Sequence, residues 1–479
     1  MLQAFANVFR VKELRNRVLF TIAMLAVYRV GFWIPIPGVS QEQLEAYFKQ
    51  QTDAGGALAR LGSFMSVFSG GSFSQSTIFG LGIMPYISAG IIFQLLSSAW
   101  APLKKKQEEG PTGRQQVQEW TRYATVGLCI LQSIGWLSFI TQQGLVYPNW
   151  ASHPLWWAMG IASMTAGCVF LMWLGEQIDK HGIGNGVSLI ITAGILSRMP
   201  HAVGWVADNS PIRDLAIVQR VFYGGTPPSG DPQLSWMGVL AIVAGFVFVT
   251  AGAVLITVAQ RRIPIQQAKH TRGRKVFGGQ RSFLPLRINH GGVMPVIFAS
   301  SLMIFPSVIF AQFGSMTVGQ EGWWPKVIAF FNDNFAHGQY LYVVCEIMLI
   351  YFFSYFWNTV QFNPQEMSKQ LRDHGSFIPG LRPGPRTAEY LGTVMERVTY
   401  VGAGFLAVIA LLPTVISNSM GVPIHVSQFL GGTGLLICVS VGLDFIQRIE
   451  ANLLMRNYSG FLGGTEHGGR GPKIRGRLA

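Results

Sequence analysis

The chain has 479 residues, of which 49% are hydrophobic and only 12% charged, and its net charge is +14. Soluble domains carry about 25% charged residues. Half that share, spread over repeated apolar runs, excludes an ordinary water-soluble globule and points to a chain solvated mostly by lipid.

Taken in chain order, the first apolar run starts near Val18. It is too long for the core of a cleavable leader, and no A-x-A-like site follows it, so it reads as a first membrane helix. Residues 1–17 read as an amphipathic basic helix lying at the cytosolic interface. Hydropathy then predicts ten spans, near 18–36, 77–97, 123–141, 155–174, 184–203, 236–258, 291–312, 340–360, 399–418 and 429–447. With the N-terminus inside, 29 of the 36 Lys/Arg fall in cytosolic segments and six outside, with Arg29 inside span 1. That asymmetry sets the orientation, with both termini cytosolic. Ten spans divide as five plus five, and the halves start on opposite sides, which permits an inverted repeat with a path between them.

Two outer segments are long, 37–76 and 204–235. The first contains LGSFMSVFSGGSFSQSTIF, apolar but short and broken at Ser69-Gly70-Gly71-Ser72. It fits either a half-helix dipping into the membrane, tolerated only where protein buries it, or an interfacial amphipathic turn. The PPSGDPQ insert in the second takes no assignable role. Between spans 6 and 7, residues 260–289 hold eight cations (Arg261, Arg262, Lys269, Arg272, Arg274, Lys275, Arg281, Arg287) and no acid. So cationic a cytosolic loop faces headgroups, RNA or an acidic protein. The C-tail, GGTEHGGRGPKIRGRLA, is Gly-rich and basic and reads as disordered.

Catalytic patterns are missing. There is no Walker A sequence, HExxH, GxSxG or paired carboxylate within a span, so no enzyme activity, cofactor or metal site is expected. Cys129, Cys168, Cys345 and Cys438 each lie in an apolar run without CxxC or His-rich spacing and read as small packing residues. The charges well inside spans are Arg29, Glu346 and Asp444, on different helices. Arg29 reads as snorkelling outward and Asp444 as pairing with Arg448 at i+4, while Glu346 stays open. A secondary transporter for a small solute is the alternative function. It should converge polar groups at mid-membrane, where this chain is apolar.

Six blocks, in order, carry a resemblance: IFGLGIMPYISAGIIFQLL (78–96), GIGNGVSLIITAGI (182–195), QRRIPIQQAK (260–269), GGVMPVIFASSLMIFP (291–306), FNPQEMSKQLRDHGSFIPGLRPGPRTAEYL (362–391) and FLGGTGLLI (429–437). The chain resembles the SecY family of protein-conducting channels, in its bacterial or plastid form, over nearly its whole length. The resemblance implies an all-α polytopic membrane protein, with ten helices in two five-helix halves around an hourglass pore. The halves are 18–206 and 236–450, hinged by 207–235, with docking loops at 260–289 and 362–398 and a tail at 451–479. Unfolded precursors would cross the pore, and hydrophobic segments would leave sideways into lipid.

Residue by residue, Ile83, Ile87, Val187, Ile191, Ile297 and Ile437 match the family's pore ring. On pattern alone they are packing residues, although Ile83/Ile87 and Val187/Ile191 are i,i+4 pairs. Val187 stands where many relatives carry Ile, which implies a slightly wider ring. Residues 61–75, with Phe64, Val67, Phe68, Ser69, Gly70 and Gly71, match the plug. Gln94 and Asn289 match polar positions of the lateral gate, where a pair across helices is worth ~0.6 kcal/mol on average. His290, next to Asn289, departs from the family's usual uncharged residue. The two basic loops match docking sites for the ribosome and the SecA motor, through Arg261, Arg262, Lys269, Arg272, Arg274, Lys275, Arg382 and Arg386. The implied partners are SecE and SecG in a heterotrimer, SecA, the ribosome through its RNA, and precursor and signal-peptide substrates, with SecD/SecF and YidC as further candidates. The implied place is the cell's inner membrane.

Overall fold

A computed structural model describes residues 11–44, 46–47, 76–151, 153–211, 234–267, 270–272, 275–277, 281–289, 291–300, 302–303, 306, 310, 322–335, 339–420, 422, 426 and 433–462. Helix α1 (Lys12–Val30) is continuous from its basic first turns into the apolar run. Its start corrects the expectation of a separate interfacial helix reaching residue 17: no Gly or Pro lies between 11 and 20 to break it. It also ends before the predicted 36. Gly31–Trp33 form one 3₁₀ turn, and residues 34–36 then run extended. There the Ile36 N–H donates to the Ser76 carbonyl (2.9 Å) and the Ile78 N–H to the Ile34 carbonyl (3.0 Å).

The second span begins later than predicted. Residues 76–83 form turns, and α2 (Met84–Ala99) starts with Pro85 in its first turn, where a missing N–H costs nothing. At its far end α2 meets α3 (Ala101–Glu108) at a bend of 106°. Next come α4 (Pro111–Gln142), α5 (Pro154–His181), α6 (Gly186–Leu196) and α7 (Met199–Asp208). The fifth predicted span is thus two helices, broken at Ser197–Arg198 just ahead of Pro200. Helix α8 (Trp236–Val258) follows.

The basic 260–289 stretch is a sheet module rather than an open loop. Strands β1 (Gln260–Gln267) and β4 (Arg281–Arg287) pair antiparallel, and β2 (His270–Arg272) pairs with β3 (Lys275–Phe277) at the tip. Beyond it are helical residues 294–300, then α9 (Trp323–Asn334), α10 (Tyr340–Gln361), α11 (Pro364–Asp373), the two-residue β5 (Ser376–Phe377), α12 (Pro385–Met420) and α13 (Thr433–Leu462). Among the described residues, six helical segments are long and apolar enough to cross a bilayer, or seven if the bent α2–α3 pair is one span.

Three apolar clusters organise the bundle. One joins α4 and α5 through Leu137, Trp156 and Met164. A second joins α8, α10, α12 and α13 through Val249, Ile350, Leu406 and Leu436. The third draws on both halves of the sequence, from Tyr28 to Ile437.

Candidate functional site

The residues matched to a pore ring come from four separate stretches: the start of α2, α6, the 294–300 helix and α13. The fold brings all six into the third cluster. Ile83, Ile191, Ile297 and Ile437 are buried, and Ile87 and Val187 pack against them half-buried. These branched apolar side chains offer an ion no ligands.

Local structure explains how two pairs of these side chains reach the cluster. The Ile83 carbonyl accepts the Ile87 N–H at 3.1 Å, stacking this pair one turn apart. Helix α6 is fixed at its start from two directions. The Asn185 side chain accepts the Ser188 N–H (3.0 Å), and the Asp179 carboxylate, from the end of α5, accepts the Gly186 N–H (2.7 Å). There the α5 and α6 backbones touch, since a Cβ on Gly186 would lie 2.0 Å from the Gly175 carbonyl oxygen. Val187 and Ile191 therefore project from a helix with no room to roll toward α5. Sequence reasoning did not single out Asp179, Gly175 or Gly186; the Gly-dense GIGNG following an Asp was the available signal.

One side of this cluster is aromatic. Phe79 stacks between Tyr28 (6.4 Å) and Phe170 (6.0 Å), and its ring edge occupies the place a Cβ on Gly31 would take, at 1.8 Å. The plug positions Phe64, Val67, Phe68, Ser69, Gly70 and Gly71 lie outside the described residues, as does His290.

At the gate positions, Gln94 is half-buried on α2 and its carbonyl accepts from Ser97 (2.8 Å). The Asn289 amide donates to the Gly292 carbonyl at 2.7 Å and closes the turn into the 294–300 helix, with Gly292 at φ +58°. Asn289 thus has a local structural task that the sequence reading did not foresee. A small cavity adjoins this turn, lined by Asn289, Pro295, Ser354, Asn358 and Thr399. On its wall the Asn358 amide donates to the Thr399 hydroxyl (2.8 Å), tying α10 to α12.

The intramembrane charges resolve differently. Asp444 and Arg448 pair at 2.8 Å, as their spacing predicts. Arg29 is exposed with its guanidinium 4.9 Å over the Phe32 ring. Glu346 is buried and accepts from Ser300 at 3.4 Å, linking α10 to the seventh-span helix.

The two basic segments form one body. Residues 262–265 alternate along β1, so Ile263 and Ile265 are buried between exposed Arg262 and Pro264, and Arg261 is exposed nearer the strand's start. Ile263 and Leu286 pack on Ile378, Leu391 and Met395, and β5 pairs with the end of β1 at Gln266↔Phe377. Arg382 is exposed on a pinned turn, for its carbonyl accepts from Thr387 (2.9 Å) and the Gly384 carbonyl accepts from Ser368 (2.7 Å). Gly380 (φ +86°) and Gly384 (φ +136°) supply backbone angles that L side chains resist. Arg386 is exposed in the first turn of α12. Arg272 and Lys275 are register partners at the hairpin tip, whereas Lys269 and Arg274 lie outside the described residues.

The family model for SecY matches residues 77–446. The chain belongs to the SecY family. It is 38% identical to the protein translocase subunit SecY of Chlamydia muridarum, over 95% of this chain and 97% of that one. The subunit of Thermotoga maritima is 37% identical, with both chains fully covered. That of Escherichia coli K12 is 39% identical over 94% of each. Among solved structures, the fold is similar to one described as "The structure of a protein conducting channel", with a TM-score of 0.57 at 17% identity over 94% of both chains. It is also similar to Sec61 in the canine ribosome–channel complex from the endoplasmic reticulum, with a TM-score of 0.53 at 16% identity. The helical, multi-pass membrane architecture expected from the sequence is thereby shown, with the basic 260–289 sheet as the departure from an all-α chain. The small-solute transporter alternative finds no support.

Proposed function

We propose that this chain is the protein-conducting subunit of a secretory translocase. Unfolded precursors thread through the apolar collar, and hydrophobic segments exit sideways into lipid near Gln94 and Asn289. The observation that carries this reading is the convergence of six branched side chains, from four stretches spread over both halves of the sequence, on one cluster. Its relatives bear the name protein translocase subunit.

The reading extends to the partners. The β1–β4 hairpin and the Arg382 turn, held together by β5, make one cationic surface for a ribosome or a SecA motor. Arginine suits both, because its planar fork binds phosphate or carboxylate bidentately. SecE and SecG complete a heterotrimer, and SecD/SecF and YidC act later on the same precursors. The chain itself catalyses nothing in this account, and energy comes from SecA or the translating ribosome. The basic face lies in the cytosol together with both termini, in the inner membrane of the cell. The halves 18–206 and 236–450 open about the 207–235 hinge, and residues 61–75 close the outer funnel.

The test is reconstitution. Proteoliposomes holding the chain with SecE and SecG should protect a labelled secretory precursor from protease only when SecA and ATP are supplied. Equal protection in liposomes lacking this chain would contradict the proposal.

A further inference from the structure

Helix α9 takes no part in the collar, the gate or the basic surface. Its exposed apolar side chains are Trp323 (75%), Trp324 (55%), Val327 (37%) and Phe330 (60%). Positions 323, 327 and 330 are spaced i, i+4, i+7, one stripe of a helix; Trp324, exposed in the first turn, stands off this stripe toward the side of Phe331. The side facing the protein is different: Ile328 is buried, and Phe331 stacks on Phe310 (ring centroids 5.0 Å, 12° between planes). Phe335, the cap residue, lies 5.3 Å from the same Phe310 ring. Lys326, exposed, borders the apolar stripe on its other flank.

The place of this stripe says what covers it. Only residues 335–339 separate α9 from α10. Helix α10 then runs 22 residues to the end of the bundle that holds the hairpin, a length of ~33 Å. So α9 lies at the opposite end, at the level where a spanning helix enters the bilayer. Tyr340, 80% exposed at the start of α10, continues the aromatic band. The 12 residues of α9 reach only ~18 Å and cannot cross a hydrocarbon core of ~30 Å. A short amphipathic helix with tryptophans on its exposed face and a lysine at the boundary has the chemistry of a headgroup–acyl interface.

We propose that α9 is an interfacial helix whose Trp323, Trp324, Val327 and Phe330 insert into the leaflet opposite the basic hairpin, the partner being the lipid surface itself. Through the Phe310–Phe331 stack it also ties the end of the seventh-span segment to the start of α10, so one lipid-held strap fixes the depth of both. This inference is independent of what the channel carries.

The experiment uses the full chain with its partner subunits in nanodiscs, with the native cysteines replaced. Single cysteines from 323 to 331 carry a nitroxide, read by collision with lipid-soluble oxygen and with a water-soluble nickel chelate. Oxygen access should peak at 323, 324, 327 and 330 and nickel access at 326, the ratio changing several-fold between 326 and 327. Nickel maxima along 323, 327 and 330 would overturn the proposal, and so would low access to both reagents there, which would mean a protein covers the stripe. Where labelling disturbs assembly, the native rings serve. Phospholipids brominated near the headgroup should quench wild-type tryptophan fluorescence more than that of the Trp323→Phe, Trp324→Phe double variant. Equal quenching would count against lipid contact.

Discussion

The touching backbones of α5 and α6 make a sharp test of how the proposed collar is held. In Gly186→Ala the new methyl would lie 2.0 Å from the Gly175 carbonyl oxygen and 2.9 Å from its Cα. Ordinary contact needs a separation of ~3.5 Å, so the helices must part by roughly 1–1.5 Å. Backbone cannot swing aside as a side chain does, and overpacking of this kind costs about 1–3 kcal/mol. The shift also stretches the 2.7 Å bond from the Gly186 N–H to Asp179 and carries Val187 and Ile191 with it. Gly127 in α4 is the control, because a Cβ there meets nothing within 4 Å. Gly127→Ala should be neutral or stabilising by up to ~1 kcal/mol, since alanine is the better helix former. The assay is thermal unfolding of the purified complex in detergent by size exclusion, together with ion leak across proteoliposomes. Gly186→Ala should unfold earlier and leak more, and Gly127→Ala should do neither. Equal behaviour of the two variants would refute the idea that close α5–α6 approach positions the collar.

Three further outcomes follow from the basic module. Arg382→Glu should abolish SecA-driven translocation while thermal stability is unchanged, because the side chain is exposed; normal translocation would remove Arg382 from the docking surface. Leu286→Ala removes a buried contact of the hairpin with Leu391 and Met395, so ~2–5 kcal/mol of local packing is lost. Amide exchange should then rise across 260–287 but not in α8, and uniform exchange would contradict a hairpin seated on α12. Thr387→Ala deletes the 2.9 Å bond to the Arg382 carbonyl, worth about 0.5–1.5 kcal/mol. It should weaken SecA binding a few-fold while the Arg382 charge remains, and unaltered affinity would show that the turn needs no pinning.

What the sequence disclosed follows from what each signal depends on. Span positions and charge asymmetry were legible because lipid acts on composition, one segment at a time. The family blocks single out the six residues that share one cluster, although Ile83 and Ile437 differ in no visible way from other apolar residues nearby. Helix ends were less legible. The run after Val30 stays apolar through Ile36, but Pro35 and Pro37 stop the helix and the pairing of 34–36 with 76–78 holds the segment extended. Charge and glycines make 260–289 look like a loop, although the RIPIQ within it alternates as a half-buried strand does. The Asp179–Gly186 bond and the Gly175–Gly186 contact are tertiary facts with only faint local signatures. Helix α9 leaves no mark on span prediction, because 12 residues with a proline fall below any spanning length.

The central claim is that a polypeptide passes through the six-residue collar. Single cysteines at Ile87, Ile191 and Ile297, in a chain whose native cysteines are replaced and whose activity is rechecked, would be probed against a precursor stalled in transit with SecA and ATP. The account predicts that all three crosslink to the stalled chain, and that a lipid-facing control at Val408 on α12, which is 51% exposed, does not. Translocation that proceeds with no crosslink at any of the three would contradict it and place the path elsewhere.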